Sequence, residues 1–230
     1  MSGILYGAGV GPGDPELMTL KAVRLVKENN VIALPGKNPK ETVAYQIAAA
    51  AVPELADKEL LAVYMPMTHD REEREKRHRE GAYLVETYLK QGKNVVFLTL
   101  GDPSVYSTFT YIQKIAEADG FQTQLVSGVP SFCAAAARMN MPLAIWNEQI
   151  HIFPAVHHLS NDLPDAGTCV LMKSGSKMDQ VKEILKKSGR DAVMIENCGT
   201  GKEQVYLHVD DIPDTAGYYS LIISKEAEKK

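Results

Sequence analysis

The chain has 230 residues, of which 45% are hydrophobic and 23% charged, and its formal net charge is -4. This length allows one large domain or two smaller ones, and the composition is that of an ordinary soluble globular protein. The mildly acidic balance argues against broad binding to nucleic acid or to an anionic membrane surface, although it is compatible with a local basic pocket.

The location predicted from the sequence is the cytoplasm. The three cysteines, Cys133, Cys169 and Cys198, lie far apart and show neither a disulfide framework nor the spacing of a zinc site. Residues 1–10 lack the basic and apolar segments of a signal peptide. Because no apolar run approaches the roughly 20 residues that a membrane helix needs, no membrane partner is expected.

Strands and helices are predicted to alternate over residues 1–126. Short apolar runs rich in β-branched residues indicate the strands, and apolar residues at intervals of three or four indicate the helices. The predicted strands are residues 4–9, 31–34, 60–64, 94–100 and 122–126. The predicted helices are residues 14–30, 42–51, 70–91 and 105–118. This alternation is typical of right-handed crossovers between the strands of a parallel sheet.

The second half of the chain is richer in strand. Its predicted helices are residues 131–139 and 177–188, and its predicted strands are residues 150–153, 168–172, 192–196, 204–208 and 218–224. Because a long helix separates so few of these strands, their sheet is predicted to be mixed in direction. We therefore predict an α/β protein of two lobes, residues 1–126 and 127–230, with the boundary near residues 127–130.

A glycine-rich loop, GAGVGPGD at residues 7–14, follows the first predicted strand. Glycine allows a backbone to approach a ligand closely, and the N-terminus of a following helix favours anions. The loop does not match a dinucleotide fingerprint, because Pro12 stands where the third glycine should be and the second strand ends without an acidic residue. It also lacks the Gly-Lys-Ser/Thr of a P-loop. A tight turn without any ligand is an equally open interpretation.

A second loop, GDP at residues 101–103, follows the predicted central strand. In an open parallel sheet, ligands bind beyond the carboxyl ends of the strands, and both loops are predicted to leave such ends. Gly-Asp-Pro also forms turns for purely local reasons. The repetition of Gly-Asp-Pro after two apolar strands nevertheless favours a shared binding edge.

Three segments resemble the tetrapyrrole methylases. They are VGPGDPELMTLKAVRLVKENNVI (residues 10–32), LTLGDPSVYST (residues 98–108) and VSGVPSFCAAAA (residues 126–137). The resemblance covers the whole chain, in the order and at the separations of that family. Residues 101–109 and 66–75 are most similar to the members that methylate C-20 of precorrin-2 or cobalt-factor II in cobalamin synthesis.

The resemblance implies two α/β lobes with S-adenosylmethionine between them, and commonly a homodimer. Cobalt, if present, would arrive inside the tetrapyrrole substrate, so no protein-bound metal is expected. Carried over position by position, the implied cofactor contacts are Pro12, Gly101, Asp102, Val105, Pro130, Ser131, Met172 and Gly199.

Asp102 and Tyr106 are the candidate acid and base on the second loop. The alternatives left open are a turn-capping role for Asp102 and a packing role for Tyr106, and Asp14 is interpreted as a helix cap. The substrate carries many carboxylates, which need cationic partners. The candidates for this role are His69, Arg71 and Arg138, although most of the charged segment around residues 69–80 is compatible with a solvated helix face.

Other functions also remain open. Within the family, the alternative targets are another ring carbon of the tetrapyrrole, a modified protein histidine and ribosomal RNA, of which the last is disfavoured by the acidic charge. Outside it, the alternatives are a nicotinamide-dependent oxidoreductase, disfavoured by Pro12, and a ligand-sensing module without chemistry.

Overall fold

The computed structural model describes residues 1–68, 70–154 and 163–226. The chain divides into two compact units, Met1–Pro130 and Ser131–Lys230. Each unit contains a five-stranded sheet with helices, so the predicted α/β class is confirmed. Within the ranges that are described, no helix is long and apolar enough to cross a membrane.

The first unit is built on a parallel sheet with strand order β3-β2-β4-β1-β5. Its strands are β1 (Ile4–Gly9), β2 (Val31–Pro35), β3 (Glu59–Val63), β4 (Val95–Thr99) and β5 (Gln122–Val126). Its helices are α1 (Leu20–Glu28), α2 (Val43–Ala51), α3 (Arg71–Leu89) and α4 (Phe109–Ala118). The parallel direction predicted from the alternation of strands and helices is confirmed.

Both faces of the first sheet are covered, which explains the continuous apolar run of its central strand. Side chains of a strand point alternately to opposite faces. Val96 and Leu98 therefore pack in the core with α1 and α2, whereas Val95 and Phe97 pack in the core with α3 and α4. Every residue of β4 is buried as a result.

Two helices begin later than predicted. α1 begins at Leu20 because residues 15–17 form a separate 3-10 turn, and Thr19 then caps α1 by accepting the Ala22 N–H at 3.2 Å. α4 begins at Phe109, and the expected start at residue 105 is wrong. Residues 103–106 form turns and bends before the helix, and Ser107 Oγ accepts the Phe109 N–H at its first residue, at 3.2 Å.

The second unit contains a mixed sheet with strand order β6-β7-β10-β8-β9, in which the β6–β7 pairing is parallel and the other three pairings of these strands are antiparallel. Its strands are β6 (Ile150–Pro154), β7 (Thr168–Met172), β8 (Asp191–Glu196), β9 (Gln204–Tyr206) and β10 (Ser220–Lys225). Helix α5 (Ser131–Arg138) packs on one face and α6 (Met178–Ser188) on the other. The predicted mixed direction is confirmed.

A buried carboxyl on α3 is expected to make the stability of the first unit depend on pH. The Glu86 side chain is 5% exposed and lies 3.4 Å from Lys90 Nζ. Burial raises the pKa of the Glu86 carboxyl and the charge of Asp119 raises it further, against the opposing effect of Lys90. The folded protein thus keeps this proton to a higher pH than the unfolded chain. Its free energy of unfolding should fall as the pH rises from the ordinary glutamate pKa through the raised value.

Glu86→Gln is therefore expected to raise the free energy of unfolding at pH 8 and to change it much less near pH 4.5. Glutamine has the shape of the protonated acid and cannot ionise, so it avoids the cost of a buried charge at high pH. Urea unfolding at several pH values measures the effect. Glu72→Gln, at an exposed position of the same helix, is the control and should show no such pH dependence. A Glu86→Gln protein that is less stable than wild type at pH 8 would contradict the expectation.

Candidate active site

Three loops meet at one edge of the first sheet. β4, β1 and β5 are neighbours and run parallel, so the segments that follow them, residues 100–108, 10–14 and 127–130, leave the same edge. The Gly11 N–H donates to Gly101 O at 3.3 Å, and the Gly101 N–H donates to Gly11 O at 2.9 Å. The two Gly-Asp-Pro loops are therefore joined backbone to backbone.

Glycines allow these loops to pack directly on one another. A Cβ atom on Gly9 would overlap Gly101 O and would lie 2.8 Å from Gly128 Cα. A Cβ atom on Gly128 would overlap the same carbonyl oxygen and would lie 2.9 Å from Gly9 Cα. The glycines therefore allow three backbone segments of the protein to approach one another closely. In a phosphate-binding loop, by contrast, the glycines would leave space for the ligand.

Asp102 connects the second loop to the third. Its residue exposure is 8%, and Oδ2 accepts the Gly128 N–H at 3.0 Å. Oδ1 accepts both the N–H and the hydroxyl of Ser104, at 2.8 and 2.5 Å. Burial acts to raise the pKa of the Asp102 carboxyl, but the hydrogen bonds from Ser104 and Gly128 outweigh it and hold the pKa below its ordinary value.

Both oxygens of Asp102 are thus occupied, and the group is held in its ionised form. Of the two roles that the sequence left open, this arrangement favours the loop-capping role over acid or base catalysis. Ser104 was not among the predicted site residues. The signal that could have found it is the Asp-x-Ser spacing, since an aspartate commonly accepts the backbone N–H two residues on.

Tyr106 projects from an anchored turn. Its backbone φ is 49°, a left-handed conformation that is uncommon outside glycine, and the residue is 50% exposed. The next residue is held firmly, because Ser107 Oγ lies 2.9 Å from Thr99 Oγ1 at the end of β4. Because half of Tyr106 is exposed, the packing role that the sequence left open is disfavoured.

The predicted contacts of the first unit lie on these three loops. Pro12 and Val105 are half-buried on the two loops joined by Gly11 and Gly101, and half-buried Pro130 ends the third loop. Ser131 follows as the first residue of α5. The fold therefore brings Pro12, Gly101, Asp102 and Val105 to one edge.

The other two predicted contacts share an edge of the second sheet. β7 and β8 both pair antiparallel with β10, so they run in the same direction and end at the same edge. Met172 is the last residue of β7, and Gly199 lies in the turn that follows β8. Gly199 has a φ of 75° and donates its N–H to Glu203 Oε2 at 2.8 Å.

Arg138 belongs to the same network as Gly199. Arg138 Nε lies 2.7 Å from Glu203 Oε1, so one carboxylate binds both residues. The Gly199 N–H lowers the pKa of Glu203, burial opposes this, and Arg138 lowers it further. Glu203 was missed by sequence reasoning, since nothing local connects it with a residue 65 positions earlier in the chain.

The structure describes one of the two cationic substrate-binding candidates at the start of α3. Arg71 Nε lies 2.7 Å from Glu75 Oε1 one helical turn on, and the Arg71 side chain is 80% exposed. This is the solvated helix-face pairing that the sequence left open. His69 lies outside the described residues.

The charges of the three loops indicate which ligands they suit. Residues 10–14, 100–108 and 127–130 contain two carboxylates, Asp14 and Asp102, and no lysine or arginine. Such loops suit a cationic or neutral ligand better than a phosphate, which prefers cationic partners. In the described ranges, no group of three or more His, Cys, Asp or Glu side chains is placed to hold a metal ion.

The chain matches a known family of enzymes over most of its length. The model of the tetrapyrrole (corrin/porphyrin) methylases matches residues 4–212, so the chain belongs to this family of methyltransferases, as its motifs predicted. Among curated proteins, it is 32% identical to a probable cobalt-precorrin-2 C(20)-methyltransferase of Methanocaldococcus jannaschii, over 98% of this chain and 97% of that one. It is 29% identical to the cobalt-precorrin-2 C(20)-methyltransferase of Salmonella typhimurium, over 97% and 96% of the two chains.

Solved structures of similar proteins support the fold. A cobalt precorrin-4 methyltransferase matches with a TM-score of 0.75 at 21% identity, over 96% of this chain and 94% of that one. A uroporphyrin-III C-methyltransferase from Thermus thermophilus, complexed with S-adenyl homocysteine, matches with a TM-score of 0.69 at 23% identity, over 97% and 98%. At these identities the likeness bears on the fold alone.

Proposed function

We propose that this protein transfers a methyl group from S-adenosylmethionine to C-20 of precorrin-2 or cobalt-factor II in cobalamin synthesis. The observation that carries the proposal is the similarity to C(20)-methyltransferases, which extends over 98% of the chain at 32% identity. Loops that contain carboxylates and lack lysine and arginine also suit a sulfonium cation.

Most of the proposed cofactor contacts lie on loops, whereas Ser131 begins α5 and Met172 ends β7. The proposed contacts are Pro12, Gly101, Asp102, Val105, Pro130, Ser131, Met172 and Gly199. S-adenosylmethionine supplies the methyl group: its S–CH3 bond breaks as the bond to C-20 forms, and sulfur keeps the electron pair. The protein's contribution is to hold the reacting atoms in line, and joined loops such as Gly11 to Gly101 are suited to this.

Tyr106 is the proposed proton relay. The proton on C-20 must leave after the methyl group arrives, and a hydroxyl can accept a proton while passing its own to water. The 50% exposure of Tyr106 allows that transfer. Asp102 is a poorer base because both of its oxygens already accept hydrogen bonds. We assign Asp102 to positioning the loops.

The proposed setting is a homodimer in the cytoplasm, as the family resemblance and the biosynthetic relatives imply. Sedimentation of the purified protein tests the dimer. A monomer at micromolar concentration would contradict it without affecting the proposed chemistry.

Methyl-labelled S-adenosylmethionine tests the reaction. The purified protein is incubated with the labelled donor and either metal-free precorrin-2 or its cobalt complex, and the labelled carbon is then located. Label at C-20 is expected with one of the two substrates. Label at another ring carbon would assign the protein to a different reaction of the family. Absence of label from both would contradict the proposal.

A further inference from the structure

The loop that follows β2 presents a lysine from a fixed backbone. The Gly36 N–H donates to Val63 O at the end of β3, at 2.9 Å. Glu41, which is the loop's carboxylate, accepts a hydrogen bond from Asn38 Nδ2 at 3.0 Å. The carboxylate of Glu41 is thus hydrogen-bonded within the loop. Lys37 is exposed and lies between Gly36 and Asn38, the two residues that make these hydrogen bonds.

Lys37 lies against an aromatic ring instead of a carboxylate. Its Nζ is 4.7 Å from the centroid of the Tyr64 ring, and Arg77 Cζ is 5.5 Å from the same centroid. Arg77 is neutralised by Glu73 at 3.6 Å and Glu80 at 3.0 Å. Across the described part of the chain, by contrast, no carboxylate forms an ion pair with Lys37.

Lys37 is also close in topology to the candidate active site. β2 pairs with β4, and both strands end at the edge where the Gly101 loop begins. Neighbouring strands in a sheet are about 4.8 Å apart. The Lys37 loop is therefore one strand away from the loop that contains Asp102 and Tyr106.

We propose that Lys37, held over Tyr64, binds a carboxylate side chain of the tetrapyrrole substrate. This inference rests on the proposed function, because that substrate presents several acetate and propionate groups. A carboxylate needs a cationic partner that is not already neutralised, which Lys37 provides and Arg71, paired with Glu75, does not. Contact with the Tyr64 ring restricts the lysine before binding, so less conformational entropy is lost when the substrate arrives.

Kinetics of three variants test the site. Lys37→Ala is expected to raise KM for the tetrapyrrole about tenfold, the effect of losing one charge-assisted hydrogen bond of about 1.4 kcal/mol. kcat and the Kd for S-adenosylhomocysteine should change less than about twofold, because the proposed contact of the lysine is with a peripheral carboxylate only. Lys37→Arg should recover most of the affinity. Lys40→Ala, which removes an exposed lysine three residues on, is the matched control and should leave KM within about twofold.

Direct binding separates failure of the site from failure of the proposed reaction. Uroporphyrin III, a stable porphyrin with eight carboxylates, serves as the probe in fluorescence titrations of wild type and Lys37→Ala. Weaker binding by Lys37→Ala and a smaller dependence on salt would support the site even if no methyl transfer occurred. Equal binding by the two proteins, an equal loss in Lys40→Ala, or no binding by wild type would overturn it.

Discussion

Asp102→Ala is expected to lower the free energy of unfolding by about 2–3 kcal/mol and to reduce kcat/KM for methyl transfer at least about tenfold. The substitution leaves the backbone N–H groups of Ser104 and Gly128 without their acceptor, and both hydrogen bonds are partly buried. It also frees the second loop from the third. Urea unfolding and steady-state kinetics measure the two effects.

The pH dependence of this loss has a defined sign. Because the folded-state pKa of Asp102 lies below the ordinary value, its contribution is complete above the ordinary aspartate pKa, about 3.9, and disappears as the pH falls through the lowered value. The difference between wild type and Asp102→Ala should therefore be constant from pH 5 to pH 8 and shrink in stronger acid.

Asp14→Ala is the matched control for stability. Asp14 accepts one exposed hydrogen bond, from the Glu16 N–H at 2.9 Å, so its loss should be about 0.5–1 kcal/mol. If Asp102→Ala were no less stable than Asp14→Ala, the bond from Asp102 to Gly128 would not be what holds the loops together. If Asp102→Ala lost activity at unchanged stability, a direct catalytic role would be favoured instead.

Gly128→Ala is expected to cost about 3 kcal/mol or more and to abolish methyl transfer. The new Cβ atom would overlap Gly101 O and approach Gly9 Cα to 2.9 Å. Both neighbours are backbone atoms, so no change of side-chain rotamer can relieve the clash. The loops must separate instead, which also breaks the hydrogen bond from Gly128 to Asp102. Thermal unfolding and activity assays of the purified variant measure the effect.

Gly201→Ala provides the contrasting glycine substitution. A Cβ atom at Gly201 meets nothing within 4 Å, so the substitution should change the free energy of unfolding by less than about 1 kcal/mol. The change is stabilising where alanine lowers the conformational entropy of the unfolded chain. A Gly128→Ala protein with the stability and activity of wild type would show that the three backbone segments can separate without loss of stability or activity. That result would contradict the interpretation of these glycines.

Short-range patterns in the sequence were sufficient for the fold class. β4 was predicted as residues 94–100 and spans Val95–Thr99, because a run buried on both faces needs apolar residues at every position. The alternation of strands and helices predicted the parallel sheet, and hence that the loops after β1 and β4 share an edge. The three ordered motifs predicted the family.

Helix starts were less predictable, since single side chains decide them. Thr19 and Ser107 accept backbone N–H groups at the starts of α1 and α4, and these bonds delay the helices relative to the apolar periodicity. Threonine and serine can cap a helix or lie inside it, and the pattern around them does not distinguish the two.

The sequence by itself therefore determined the α/β class, the direction of both sheets, the family and the two Gly-Asp-Pro loops. Only the tertiary structure decided what the charged groups do. Asp102 contacts Gly128 because β4 and β5 both flank β1 in parallel and end at the same edge of the sheet. Glu203 contacts Arg138 although 65 residues separate them in the chain. Lys37 reaches Tyr64 because β2 and β3 are neighbours. A charge is neutralised, buried or free according to its partners in space, and strand order, which local periodicity does not specify, brings those partners together.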